Sequence, residues 1–160
     1  MADNYFEYVI TGAEIVKARL LALAPEVRRK FAMKALKKGA APVATAAQGA
    51  VPVLAQSIYR RGQLYRKPGT VRDAIRIRSS KDINRTGDVG VIVNVKPAKG
   101  SDRGARSPND PFYWRFLEFG TKYMKERRYL RVGAQQLESQ SKRIIEAELK
   151  DGFDQLKLPL

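Results

Sequence analysis

The chain contains neither cysteine nor histidine. Without cysteine there are no disulfides, no thiolate nucleophiles and no thiolate metal sites, and the redox compartment stays undetermined. Without histidine the commonest general base and the commonest metal ligand are missing, and with them every Ser-His or Cys-His arrangement. Phosphate loops, dinucleotide fingerprints and acidic metal clusters are absent too, and the 87–90 stretch Gly-Asp-Val-Gly is too short to be more than a turn between strands. A carboxylate pair is the one catalytic option left, with Glu118 and Glu126 as the nearest candidates, but a glycine turn between them gives no reason to expect a shared cleft. No residue is therefore assigned to catalysis, to a cofactor or to a metal.

The first fourteen residues carry acids (Asp3, Glu7, Glu14) and no bases, so a secretory leader is not expected and a cytoplasmic start is. Residues 39–59 are free of charge, but Ala, Gly, Pro42, Pro52, Gln48 and Gln56 mark them as buried soluble structure rather than a membrane span. What the chain has in excess is positive charge, a formal +15 over 160 residues. One basic tract comprises Arg60, Arg61, Arg66, Lys67, Arg72, Arg76, Arg78, Lys81 and Arg85. A second holds Lys122, Lys125, Arg127, Arg128 and Arg131. Such a distribution suits a polyanion or an acidic protein surface, and charge alone does not choose between them.

The length suits one domain with one core. Apolar residues at helical spacing predict a first helix over 10–23 and a longer basic helix from Glu26, kinked or interrupted near Gly39 and Pro42 and reaching toward Leu54. Residues 64–70 read as a loop. Period two then takes over in Ile75 and Ile77, and again in Val89, Val91, Val93 and Val95, predicting a hairpin with its turn at 84–88. Residues 97–109, rich in Gly, Pro, Ser and Arg, read as a long mobile loop carrying Arg103 and Arg106. A last amphipathic helix runs from about Leu130 to Gly152, followed by an apolar tail with Leu156, Leu158 and Leu160. The expected class is α+β: a small antiparallel sheet, the hairpin plus possible extra strands, packed on a long N-terminal helix, a short aromatic helix and a C-terminal helix. Mobile loops are expected near 60–70 and 97–109, with a tail over 153–160.

The aromatic helix is the most informative segment. Of the chain's 6 Phe, 7 Tyr and 1 Trp, half lie between residues 109 and 132. Asp110 suits an N-cap and Pro111 a first helical position, so a helix is expected to start there and to end at Gly120 in a left-handed conformation. Glu118 falls in its last turn, where a carboxylate is unfavourable, which calls for a compensating amide or cation nearby.

The run Tyr113-Trp114-Arg115-Phe116-Leu117-Glu118-Phe119-Gly120-Thr121 is similar to the aromatic-x-x-apolar-x-Glu-aromatic-Gly-Thr signature of the tail-completion, minor tail or head-tail joining proteins of lambda-like long-tailed phages. The likeness extends to residues 127–134, where that family has an Arg-Pro-Phe-Leu-Arg-Pro-like stretch, and to 12–23, 35–40 and 70–75. Arg128 and Val132 stand where prolines are usual, Trp114 where a small residue is usual, and the basic loop before the signature is long. The resemblance implies a structural virion protein of the tail or neck, assembled in the host cytoplasm as a homo-oligomeric ring of six subunits at the head-proximal end of the tail, completing the tail and supporting head-tail joining. Its implied partners are itself, the tail tube, tail terminator or head-connector proteins, and double-stranded DNA passing through the lumen, with no membrane. Tyr113, Phe116, Leu117 and Phe119 would then fix the short helix to the sheet, Gly120 and Thr121 would make the turn, and Glu118 would accept from Arg127 or Arg131, within or between subunits. Arg127, Arg128, Leu130 and Arg131 become candidates for a subunit interface, and Arg60, Arg61, Arg66, Lys67, Arg103 and Arg106 for contacts to DNA or an acidic partner. The competing expectation is a basic nucleic-acid-binding module without sequence specificity; against it stands the lack of any helix-turn-helix, zinc or RNA-recognition signature.

Overall fold

The computed structural model describes residues 21, 23–80 and 89–155. The helix expected over 10–23, the turn at 84–88 and the leucines of the tail fall wholly or almost wholly outside them. The long helix α1 spans Pro25–Ala50. Pro25 suits its first turn, because the amide that proline lacks has no partner there. The helix stops at Ala50, where Val51 turns extended ahead of Pro52, as a residue before proline prefers. Leu54 therefore lies beyond the helix, exposed.

Pro42 sits inside α1, yet the helix runs on without the expected interruption. A proline there removes one backbone hydrogen bond, a local cost that burial of the neighbouring turns offsets. Ala35, Gly39, Ala40, Val43, Ala44 and Ala47 are all buried on one stripe. The partner is the C-terminal helix, Tyr129–Gln155, and the two run antiparallel: Phe31 lies over Gly152, Gly39 against Ile145 and Ser141, and Gly133 against Val43, Ala46 and Ala47. Glycine at 39 and 152 lets the helices approach so closely that a Cβ at either site would overlap Ile145 or Phe31. On the outer side, Lys34 and Lys38 both reach Glu148, at 2.9 and 2.5 Å.

Two antiparallel hairpins follow α1. The first, β1 (Ile58–Arg60) and β2 (Gln63–Arg66), overlaps the start of the segment expected as a loop, of which residues 67–70 remain outside any strand. Arg61 and Gly62, with φ of 51° and 76°, make the two-residue turn whose twist matches the strands. Ile58, Tyr59 and Leu64 stay exposed, so no buried face imposes a period-two signal. The second hairpin is the expected one, with β3 (Ile75–Ser79) pairing β4 (Val91–Val95) from Ile75 opposite Val95 to Ser79 opposite Val91. Its buried residues Ile75 and Val95 join Val51, Val71, Ala47, Tyr129 and Leu130 in the larger core cluster, while Ala35, Ile145, Leu149 and Phe153 form a second one farther along the helix pair. Phe153 is thus core rather than the first residue of a tail.

The short aromatic helix α2 is Trp114–Phe119, three residues later than expected, and α3 is Tyr129–Gln155. Asp110 does not cap α2. Its buried carboxylate accepts the Gly104 amide instead, fastening the preceding loop. That loop contains a single 3-10 turn, Gly100–Asp102.

Candidate functional site

Three segments converge around the signature: β2, the 97–109 loop, and the α2 to α3 connection. Arg66, expected to meet a polyanion, is only 7% exposed. Its guanidinium donates to the Tyr65 and Ser107 carbonyls at 2.6 and 3.1 Å and to the Ala105 carbonyl. It also lies 4.1 Å from the Tyr65 ring centre and 4.9 Å from that of Phe112. A guanidinium cannot shed its charge, so burial requires this set of carbonyls and ring faces. Arg66 is therefore the pin that holds the basic loop to the hairpin, and the Thr70 hydroxyl adds a 3.3 Å bond to the Pro108 carbonyl. Burial pushes the neighbouring Tyr113 hydroxyl above the ordinary tyrosine range, with Thr70 and Arg66 opposing the shift.

Glu118 is 2% exposed. The compensating group expected for it is a pair of backbone amides: its carboxylate accepts from Leu130 N–H at 2.9 Å and Arg131 N–H at 3.1 Å. Those amides belong to the first turn of α3, where N–H groups have no intrahelical acceptor and the helix dipole favours an anion. The same return segment satisfies the end of α2, since Arg127 N–H donates to the Leu117 carbonyl at 2.8 Å and Arg128 N–H to the Glu118 carbonyl at 3.2 Å. Tyr129, buried beside Glu118, has its phenol pushed well above the ordinary range, first by desolvation and then by that carboxylate.

Gly120 makes the reversal possible. Its φ is 75° with ψ −178°, and a Cβ there would lie 2.8 Å from both Glu126 N and Met124 O. Thr121 N–H then donates to the Met124 carbonyl at 2.8 Å, closing a tight turn with Lys122 and Tyr123 at its tip. Arg128 also has positive φ, 47°, a value the proline of the resembling proteins could not take because its ring fixes φ near −65°.

Tyr113, Trp114 and Leu117 pack on the core as half-buried side chains. Phe116 and Phe119, expected to do the same, are 48% and 40% exposed. Tyr123 is 90% exposed, and Met124 and Val132 are open as well. The same stretch carries exposed Lys122, Lys125, Arg127 and Arg128, with Arg128 paired to Glu126. That pairing holds the Glu126 carboxyl below its ordinary value. Glu118 and Glu126 thus have separate structural duties. Leu130, a candidate for the interface, is a core residue instead. Arg60, Arg61, Lys67, Arg103 and Arg106 are exposed, and Arg60 stacks 3.9 Å over the Tyr65 ring. Among the described residues no helix is long and apolar enough to cross a membrane and no three acids gather as a metal site. The buried Arg66 and the outward rings were the features that residue types alone did not disclose; the spacing of Trp114, Leu117 and Glu118 on one ridge was the available signal.

No curated protein and no solved structure matches the chain. A family model described as "Bacteriophage HK97-gp10, putative tail-component" matches residues 13–120, about two thirds of the sequence and ending at the glycine of the signature. The chain with its buried Glu118 cap and Gly120 reversal belongs to this HK97-gp10-like family of phage tail components.

Proposed function

We propose that the protein is a structural component of the tail or neck that assembles as a ring of identical subunits, of hexameric order, at the head-proximal end of the tail, completing the tail and supporting head-tail joining. Its partners on this reading are further copies of itself and the tail-tube, terminator or connector proteins, with double-stranded DNA passing through the lumen. The observation that carries it is the exposure of the large apolar side chains Phe116, Phe119, Tyr123, Met124 and Val132 within one short stretch. Exposed rings with cations beside them in one stretch suit a protein-interaction surface, and here they ride on a segment that Glu118 and Gly120 fasten. Family membership supports the tail setting. Native mass measurement and negative-stain imaging of the isolated protein, alone and with tail tubes, test it: rings support the reading, and a chain that stays monomeric in both settings overturns it.

One observation favours a second reading, nucleic-acid binding without sequence specificity. The β1–β2 hairpin exposes Tyr59 beside Arg60 and Arg61, a pairing of ring and cations that suits a phosphate backbone. A duplex-DNA isotherm against salt separates the two, because phosphate binding gives a steep salt slope.

A further inference from the structure

The cations that suit a polyanion do not lie in one stretch of sequence. Arg60, Arg61 and Lys67 belong to the first hairpin and its exit, and Arg103 and Arg106 to the loop about forty residues later, all of them exposed. Arg66 ties the two segments together. Its guanidinium lies 4.1 Å from the centre of the Tyr65 ring, the ring that Arg60 covers at 3.9 Å, and it donates to the carbonyls of Ala105 and Ser107, the residues on either side of Arg106. One buried arginine and one ring therefore span the distance from the Arg60 side chain to the Arg106 backbone. The sequence also keeps both segments to one sign of charge. No acid occurs between Glu26 and Asp73, and the single acid within 96–109, Asp102, accepts the Asn109 side-chain amide at 3.1 Å.

We propose that Arg60, Arg61, Lys67, Arg103 and Arg106 form one composite surface for the phosphate backbone of double-stranded DNA, with Arg66 positioning the loop cations against the hairpin. Protein interfaces are depleted of charge at their centres, whereas a run of phosphates is neutralised by cations of one sign. The rings decide between duplex and single strand. A single strand is gripped by stacking its bases on open aromatic faces, but here Tyr65 is covered by Arg60 and Arg66, and Phe112 has Arg66 over it at 4.9 Å. In the hairpin this leaves Tyr59 as the open ring. A lone ring is no stacking platform, while contacts to the backbone of a duplex need none. The inference rests on the second reading above, that the chain meets nucleic acid, and adds to it the loop cations, the duplex and the part played by Arg66.

The test titrates the full-length protein with a fluorescent DNA duplex of random sequence at several salt concentrations. Contacts from all of these cations predict a slope of log affinity against log salt of about −4 to −5. Arg60→Gln and Arg106→Gln should each reduce the slope by about 1 and weaken binding several-fold. Lys37→Gln and Lys150→Gln, equal losses of charge at exposed positions of α1 and α3, should leave the slope unchanged. Arg66→Lys keeps the net charge but cannot span two carbonyls and a ring with a planar fork. It should weaken binding about as much as Arg106→Gln, and combining the two should cost little more than either alone, with an unchanged circular dichroism spectrum. Duplex binding whose slope ignores Arg106→Gln overturns the composite surface and leaves nucleic-acid binding standing. Losses from Arg66→Lys and Arg106→Gln that simply add overturn the positioning role. No binding at low salt overturns the surface and the second reading together. Binding to a single strand, or to polyglutamate, as tight as to the duplex overturns the choice of partner.

Discussion

Removing the Glu118 carboxylate should loosen the whole α2 to α3 junction. In the native fold its two oxygens take the amides of Leu130 and Arg131 in a site that is 2% exposed. Glu118→Ala leaves two buried donors unpaired, each costing about 1–3 kcal/mol, and removes an anion that the α3 dipole stabilises by up to about 2 kcal/mol in a partly buried setting. Allowing for partial entry of water, the loss should be about 3–5 kcal/mol. Glu118→Gln keeps one acceptor but loses the charge and turns an amide donor toward a backbone donor, for about 2–3 kcal/mol. Domains hold only about 5–15 kcal/mol in all, so the Ala variant forfeits a large share. Urea unfolding followed by far-UV circular dichroism should show both midpoints lowered at constant slope, and melting should fall by about 2–4 °C for each kcal/mol. An Ala variant within about 0.5 kcal/mol of the parent, the range of neutral surface changes, would refute the capping argument.

Other substitutions probe the remaining contacts. Gly120→Ala, which places a Cβ 2.8 Å from two backbone atoms at φ 75°, should cost about 2 kcal/mol or more in the same urea assay. Gly39→Ala, forced against Ile145, should destabilise by about 1–3 kcal/mol despite the better helix propensity, whereas Gly49→Ala in the same helix, with open space around it, should stabilise by about 0.5–1 kcal/mol. Tyr129→Phe should leave stability at neutral pH unchanged or raised by up to about 1 kcal/mol, since the buried hydroxyl has no hydrogen-bond partner among the described residues. The raised phenol pKa means that native Tyr129 contributes stability below about pH 10 that is lost as pH climbs further, and the Phe variant should lack that alkaline loss. Glu148 is held below its ordinary value by Lys38 and then Lys34. Its contribution should be complete above about pH 5 and fade as acid protonates it, so thermal melts across this range should be flatter for Glu148→Gln.

Periodicity disclosed the elements whose one face is buried. α1 and α3 show helical spacing because Ala35, Val43 and Ala47 meet Ala134, Ile145 and Leu149 along a continuous seam. Likewise β3 and β4 show period two because Ile75 and Val95 face the core. β1 and β2 bury little and carry no such pattern, so the first part of the loop expected there is strand, while residues 67–70 remain outside any strand. The site was legible in its parts list and less so in its directions. Glu118 was expected to find a compensating amide or cation, and finds the backbone amides of Leu130 and Arg131, because a residue near the end of one helix can serve the start of the next. Arg66 was indistinguishable in sequence from its exposed neighbours, since nothing local marks the carbonyls of a loop some forty residues away.

The outward rings follow from the inward acid. On a helix, positions three and four apart share a face, so once Glu118 turns toward the α3 amides, Trp114 and Leu117 turn inward with it. Phe116 and Phe119, themselves three apart, must then share the other side. Assigning both rings to the core treats every aromatic as packing, and the choice between the two ridges is made by the hydrogen bonds of Glu118 rather than by hydrophobicity. The arrangement also bears on binding. Exposed rings on a floppy segment lose rotational and backbone freedom when a partner docks, a cost that subtracts from affinity. Here the carbonyls of Leu117 and Glu118, the carboxylate of Glu118 and the turn at Gly120 have already fixed the segment. The order Glu-Phe-Gly in this signature therefore links an internal cap to exposed rings on a fastened segment, and on the ring reading proposed above a variant that breaks the cap should weaken self-association, measured by native mass, even though it touches no surface residue.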